Sequence, residues 1–416
     1  MKKYSIILPT YNNEKYIKEC INSFLSQPFD DFELIVSNNL STDETQNILT
    51  SFSDKRLKVI HPDRHLDHMD HWNFAVSHAN GEWIYTLGAD DAVLPFFFEQ
   101  LEYLTKIATS KKINLLRCER AYYFHKGMED IYGDSHVSFY AEPKYEIRTT
   151  KKVLSDAMKR ESCFYEIPQM YTTSLFKSSV LGKITKFSKE LRIFPKNTWG
   201  QDAVMGLYAC IFEKYYINTK IPFAWVGSSP SSAGLKDGRS KISDITDFST
   251  DNPYRTVNST IQLLYYNLKK LSSSLPKNII PFYIKKIVRK PAIVYSYVYK
   301  ERFLKSNSID TPDRLPALKK YLTYHELAFP VIEKKAQKLL KKELFISELK
   351  KSYIYTRFHD NRILRYLNRN KKKQDCFSIE LKQNNFITYT EVNSILLKND
   401  SLLKVLNKSK LIRSGI

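Results

Sequence analysis

The chain has 416 residues and carries 65 Lys and Arg against 44 Asp and Glu, a formal net charge of +21 at pH 7, which is length enough for two domains with cores of their own. No run approaches the ~18 apolar residues that a membrane span requires, and the apolar run behind Lys2 and Lys3 stops at Pro9 before Asn12, Asn13 and Glu14, a first strand rather than a secretory leader. Five scattered cysteines form no Cys-x-x-Cys pair, which speaks against a disulfide framework or a cysteine zinc site and for reduced thiols in a cytoplasmic protein.

Taken in order, Tyr4 to Leu8 reads as strand one, with a polar loop at Pro9-Thr10-Tyr11-Asn12-Asn13. A helix follows with Ile17, Ile21, Phe24 and Leu25 on one face. Leu34 to Val36 is strand two and ends in Asn38-Asn39, after which Ser41 or Thr42 can cap a helix starting near Asp43. Leu57 to Ile60 is a third strand, and Trp72 to His78 has helical spacing. Gly81 then turns the chain into Trp83-Ile84-Tyr85-Thr86-Leu87, a β-branched and aromatic run that halts at Gly88 just before Asp90 and Asp91. Strands alternating with helices at these loop lengths imply a parallel, doubly wound sheet. Residues 95 to 108 continue as helix, Asn114 to Cys118 as strand, and Ile217 to Val226 as a single strand leading into the small-residue loop Gly227 to Gly234.

Charge divides the chain. Residues 1–250 hold 31 basic and 31 acidic side chains, whereas 251–416 hold 34 and 13, so the whole positive excess lies in the second part. That asymmetry implies two domains with different partners, 1–250 and 251–416, the second rich in Lys and Tyr and mainly helical, with a helical period over Val331 to Phe345 and a basic block at Arg369 to Lys373. Lysine-studded helices with an apolar face suit an anionic membrane surface, an acidic glycan, or simple packing and homo-oligomer contacts. No nucleic-acid module accompanies the charge, which sets nucleic acid aside as a partner.

Two adjacent carboxylates at a strand end suit a divalent cation holding phosphates, since the crevice beyond the carboxyl ends of an open α/β sheet is where ligands sit. A capping pair, with Asp91 at the start of the next helix, explains the same residues without chemistry. Clustered histidines (His61, His65, His68, His71 and His78) raise zinc, but no cysteine or closed-site spacing accompanies them.

Ser5 to Asn12, Tyr16 to Gln27, Phe32 to Asp43 and Ala79 to Asp91, in this order and spacing, resemble glycosyltransferase family 2, the inverting enzymes of GT-A fold that use nucleotide-activated sugars. The resemblance is dense over residues 4–108 and thins toward Gly234. It implies an α/β fold with a GT-A doubly wound, mostly parallel sheet as a nucleotide-sugar-binding catalytic domain, followed by the basic helical one. It also implies that Asp90 and Asp91 hold Mn²⁺ or Mg²⁺ against the diphosphate of a nucleotide-sugar donor, with Asp90 part of the nucleotide site. Pro9, Thr10, Tyr11, Asn38 and Asn39 would line the nucleotide recess. Two departures stand out: Gly88 occupies a position where the family usually has Asp, and Asn39 stands where relatives often carry an Asp that accepts from uracil. An amide both donates and accepts, so Asn39 widens the choice of base; as turn formers, Asn38 and Asn39 need no ligand at all.

In the pair Gln201-Asp202, the resemblance implies that Asp202 is the base that takes the acceptor proton; a helix N-terminal carboxylate is the structural alternative. Arg120, Ser228 and Ser229 are candidates for the acceptor, a glycan or lipid-linked hydroxyl. The Gln-x-x-Arg-Trp pattern of processive synthases is absent from the sequence, which favours single addition. Two other functions remain: a non-catalytic binder of glycan or nucleotide sugar, and a nucleotidyltransferase. The expected setting is the cytoplasm, with a peripheral position at the inner membrane face as the alternative.

Overall fold

Strand β1 (Tyr4–Thr10) is buried at every position, the mark of a parallel strand covered on both faces. The computed structural model describes residues 1–128, 135–157, 166–187, 193, 201–230, most of 268–289, 334, 338, 376–382 and 387–409. After β1, α1 (Ile17–Leu25) buries Ile17, Cys20, Ile21 and Phe24, the i, i+3, i+4, i+7 stripe expected of a helix lying on a sheet. Then come β2 (Phe32–Asn38), α2 (Thr45–Thr50), β3 (Leu57–Ile60), α3 (His68–Ser77) and β4 (Trp83–Thr86). These four strands run parallel in the order β3-β2-β1-β4, with Thr10 beside Asn38 and Ile7 beside Thr86. Helix α2 starts later than expected, at Thr45, and neither Ser41 nor Thr42 caps it.

Beyond β4 the architecture departs from a single wound sheet. The chain continues through β5 (Ala92–Val93), α4 (Phe97–Ser110), β6 (Leu115–Cys118), β7 (Ala121–Phe124), β8 (Ser135–Ala141) and β9 (Tyr145–Thr149). Helix α5 (Thr150–Ala157), β10 (Ser174–Lys177), α6 (Ser178–Phe187), α7 (Gln201–Phe212), β11 (Tyr215–Thr219) and β12 (Ala224–Ser228) follow. Last are α8 (Phe282–Arg289), β13 (Phe377–Lys382), α9 (Tyr389–Leu397) and α10 (Asp400–Ser409). Eight strands form one sheet, β3-β2-β1-β4-β10-β6-β11-β9, and five form a second, β13-β8-β7-β12-β5. The expected single strand over 217–226 is therefore two strands in different sheets. The mixed α/β class with a large, mostly parallel central sheet agrees with the resemblance.

Three chain segments cross from the first sheet into the second: β4 to β5, β6 to β7, and β11 to β12. Each crossing happens at a strand carboxyl end, and Asp90-Asp91 forms the first of them. One core beneath these strands is led by Trp83, Tyr85, Phe97 and Trp225, all fully buried.

By proximity the chain divides into two units. Met1–Thr149, Pro168–Gly238 and Asp375–Ile416 form the first, and Thr150–Ile167 with Arg239–Gln374 the second. Residues 375–416, which the charge pattern grouped with the basic extension, thus return to the first unit, and β13 pairs antiparallel with β8. In the second unit, α5 buries Val153 and Leu154, while Ile284 of α8 is buried and Phe282 is 80% exposed. The basic block at 369–373 lies outside the described residues, as does 331–345 apart from Lys334 and Lys338. Among the described residues no helix is long and apolar enough to cross a membrane.

Candidate active site

Parallel strands present their carboxyl ends side by side, and here the ends of β1 and β2 carry a cluster of polar side chains. The Asn39 amide N–H donates to the Thr10 carbonyl at 3.0 Å, tying the two ends together. Asn38 Oδ1 accepts from the Ser41 N–H and hydroxyl at 3.0 and 2.6 Å, and its Nδ2 donates to Gln46 at 2.8 Å. Asn39 Nδ2 donates to the Leu66 carbonyl and its Oδ1 accepts the Leu66 N–H, both at 2.9 Å, a side chain completing a peptide-like pair. Both asparagines are buried. Their amides are engaged in shaping the loop, so the base-pairing role expected of Asn39 meets an amide already committed to Leu66. Pro9 and Thr10 are buried, whereas Tyr11 is 44% exposed and its ring stands edge-on to His65 at 4.6 Å.

The β1–β4 pairing sets the acid pair just beyond the end of a strand next to β1. The Leu87 N–H donates to Ile7 O at 3.0 Å, and continuing that register sets Pro9 opposite Gly88. Asp91 is fully buried, and its Oδ2 accepts from the Gly88 N–H and the Thr172 hydroxyl, both at 2.9 Å, while its Oδ1 accepts the Gly227 N–H at 2.6 Å. Burial first, then the neighbouring Asp90, push the Asp91 carboxyl well above the ordinary carboxylate range, against the pull of these donors. Asp90 is only half-buried. Its Oδ2 accepts from Ser229 Oγ at 2.8 Å. Its Oδ1 faces Gly88, where a Cβ would stand 3.1 Å from it and 2.8 Å from the Tyr171 hydroxyl. The place that a larger side chain at 88 would need is therefore filled by Tyr171, which hydrogen-bonds Asp91. Thr172 adopts φ of 55°, an uncommon backbone for a β-branched residue, and that turn aims its hydroxyl at Asp91.

A hard divalent cation beside phosphates commonly takes one or two carboxylates from the protein and the rest of its oxygens from phosphate and water. Asp90 fits that share, being half-buried at a strand end. Asp91 does not: both its oxygens accept from the protein and the side chain is closed off. Among the described residues no group of three or more His, Cys, Asp or Glu side chains gathers as a metal cluster, at the acid pair or elsewhere. His71 instead stays inside, its Nε2 2.9 Å from Ser37 Oγ, with burial lowering its pKa to about 4.

Of the acceptor candidates, Ser229 is drawn to Asp90, Arg120 donates to Gln169 Oε1 at 3.1 Å, and Ser228 closes β12 beside Phe124. Asp202 lies in the first turn of α7.

Several residues at the site were missing from the sequence reading. Tyr171 and Thr172 precede an antiparallel strand, β10, that has no flanking turn signature. His125 Nε2 sits 2.9 Å from the Asp90 carbonyl oxygen, and the Tyr389 hydroxyl donates to the same oxygen. Tyr389 did carry a local signal: Thr388-x-x-Glu391 is a capping box, formed here at the start of α9.

Polar side chains and a carboxylate at adjoining strand ends of a wound sheet stand where open α/β sheets place their ligands. Residues 5–111 match the model of the family described as Glycosyl transferase family 2, and the chain carries a domain of that family. It is similar to an uncharacterized glycosyltransferase of Haemophilus influenzae, 35% identical over 105 residues, 24% of this chain and 32% of that protein. It is also similar to the poly(ribitol-phosphate) β-N-acetylglucosaminyltransferase TarS of Staphylococcus aureus, 37% identical over 97 residues, 22% of this chain and 17% of that one. The matched stretch thus spans a third or less of either relative. An uncharacterized glycosyltransferase of Methanocaldococcus jannaschii is 29% identical over 223 residues, 52% of this chain and 70% of that protein. Among solved structures, S. aureus TarS 1–349 in complex with UDP-GlcNAc aligns with a TM-score of 0.44 at 17% identity, covering 82% of this chain and 91% of that one.

Proposed function

We propose that the chain is a metal-dependent, inverting glycosyltransferase that moves a single sugar from a nucleoside-diphosphate donor to a hydroxyl of a glycan or lipid-linked acceptor. The observation that carries this reading is the difference between the two acids: Asp91 is fully buried with both oxygens held inside the loop, whereas Asp90 is half-buried just past the end of β4. Mn²⁺ or Mg²⁺ bound there would neutralise the leaving diphosphate as an electrophile.

The chain's own residues do the rest. Tyr11, backed by His65, offers an exposed ring to a base, and Pro9 and Thr10 precede it at the buried end of β1. Asn38 and Asn39 hold the loop after β2. Asp202 takes the proton of the acceptor hydroxyl as its oxygen bonds to the anomeric carbon and the bond to the diphosphate breaks on the opposite face, inverting the configuration. Similarity to TarS supports a surface polymer of bacterial type as acceptor. For the basic segment we propose an anionic bilayer as partner, supported by exposed Phe282 alongside Lys285 and Lys286 on α8; vesicles of neutral and anionic lipid floating the protein equally would remove that partner.

The test of function is a thermal-shift panel of UDP, GDP, CDP and dTDP with and without Mn²⁺, because a ligand bound only by the folded state raises the melting temperature. One nucleotide stabilising more with Mn²⁺ is expected. Asp202→Asn should keep that shift and lose sugar transfer; near-normal turnover would take Asp202 out of the mechanism.

A further inference from the structure

The main chain of Asp90 is gripped from the far end of the polypeptide. Its carbonyl oxygen accepts the Tyr389 hydroxyl, 299 residues later in sequence, and lies 2.9 Å from His125 Nε2, which is itself 3.1 Å from that hydroxyl. Tyr389 is 3% exposed, its ring 4.2 Å from Tyr123 and edge-on to His125 at 5.5 Å. Gly227 packs closely against the same carbonyl: any Cβ there would collide with the Asp90 carbonyl oxygen and crowd the Tyr389 hydroxyl. The aspartate is thus fixed at two points, its carbonyl by Tyr389 and His125 and its carboxylate by Ser229.

Docking of α9 does not need that hydroxyl. The helix is anchored by its capping box, by the Tyr123 hydroxyl on the Ile387 carbonyl, by Trp225 Nε1 on Asn393 Oδ1 at 2.9 Å, and by Asn393 Nδ2 on the Val93 carbonyl at 3.3 Å. Val392 and Leu396 add buried apolar surface. What the hydroxyl adds is a constraint on the peptide that carries the Asp90 carboxylate, and ligand-holding groups work only when their support is fixed to within about 0.5 Å.

We infer that Tyr389 is a positioning residue for the Asp90 carboxylate, so that residues 387–409 complete the site. The inference rests on the proposed role of Asp90 in holding the cation. The experiment uses the full chain and titrates Mn²⁺ in the presence of each of UDP, GDP, CDP and dTDP, reading the melting temperature. Tyr389→Phe keeps the ring and deletes one hydrogen bond; the Mn²⁺ concentration for half-maximal stabilisation should rise about 5- to 10-fold. Asn393→Ala deletes two hydrogen bonds of the same helix away from Asp90; it should lower the melting temperature and leave the Mn²⁺ titration where it was. A Tyr389→Phe titration that superimposes on the unaltered chain, equal shifts in both variants, or failure of Tyr389→Phe to fold would each overturn the inference alone. Mn²⁺-dependent stabilisation that is missing from the unaltered chain, or that survives Asp90→Asn, would overturn the reading of Asp90 and the inference with it.

Discussion

The loops that follow β2 and β4 both end parallel strands of one sheet, yet they are built in opposite ways. The β2 loop draws its partners from the first strands and the loops beside them: Asn38 with Ser41 and Gln46, Asn39 with Leu66, and Asn12 with Thr42. The β4 loop draws its partners from the whole chain: Thr172, Gly227, Ser229, His125 and Tyr389 all converge on Asp90 and Asp91. A loop of the first kind needs only the amino-terminal strands and the loops next to them. One of the second kind is correct only when strands from two sheets and the carboxy-terminal helix are all in place, which couples the site to the integrity of the whole first unit.

The comparison breaks most readily at Gly227. Gly227→Ala forces a methyl into the Asp90 carbonyl and should cost about 3 kcal/mol or more of stability, as overpacking of a closed site does, with loss of nucleotide binding; chemical denaturation checks it. Asp91→Ala leaves the buried Gly88 and Gly227 amides without their acceptor and should cost roughly 3 kcal/mol, whereas Asp90→Ala removes the carboxylate oxygen to which the buried Ser229 hydroxyl donates and should cost less, roughly 2 kcal/mol.

His71 sharpens the contrast by pH. Its folded pKa of about 4 lies below the ordinary 6.5, so between these values the unfolded chain binds the extra proton. The stability it contributes is full above pH 6.5 and falls as pH drops toward 4, by up to about 3 kcal/mol. Replacing it with Asn should flatten that part of the stability curve. The smallest effect is expected at the β2 loop: Asn39→Ala should cost about 1–2 kcal/mol through the two Leu66 hydrogen bonds and leave the preference among UDP, GDP, CDP and dTDP unchanged.

How much of this was readable from sequence follows the same divide. Strands β1, β2 and β4 announce themselves as short, near-continuous apolar runs and α1 by its 3.6-residue stripe, and the run from Trp83 to Leu87 placed Asp90-Asp91 just past a strand end, where they lie. What pattern cannot carry is which partners close the loop. Thr172 sits in an unusual backbone geometry, β10 runs antiparallel between β4 and β6, and one apparent strand over 217–226 splits because the chain changes sheets there. Asn39 illustrates the limit well: its type suited a base contact, and only the position of Leu66 revealed what its amide does. The carboxy-terminal helix was masked by composition, since the lysine-rich run before it hid the return of the chain to the first unit.

The account turns on Asp90 being the group that holds a cation against a nucleoside diphosphate. Its most direct measurement compares the unaltered chain with Asp90→Asn, reading melting temperature with UDP, GDP, CDP or dTDP in the presence and absence of Mn²⁺. The predicted result is an unchanged melting temperature without ligand and loss of the Mn²⁺-dependent increment in the variant. An increment of equal size in both proteins would contradict the account.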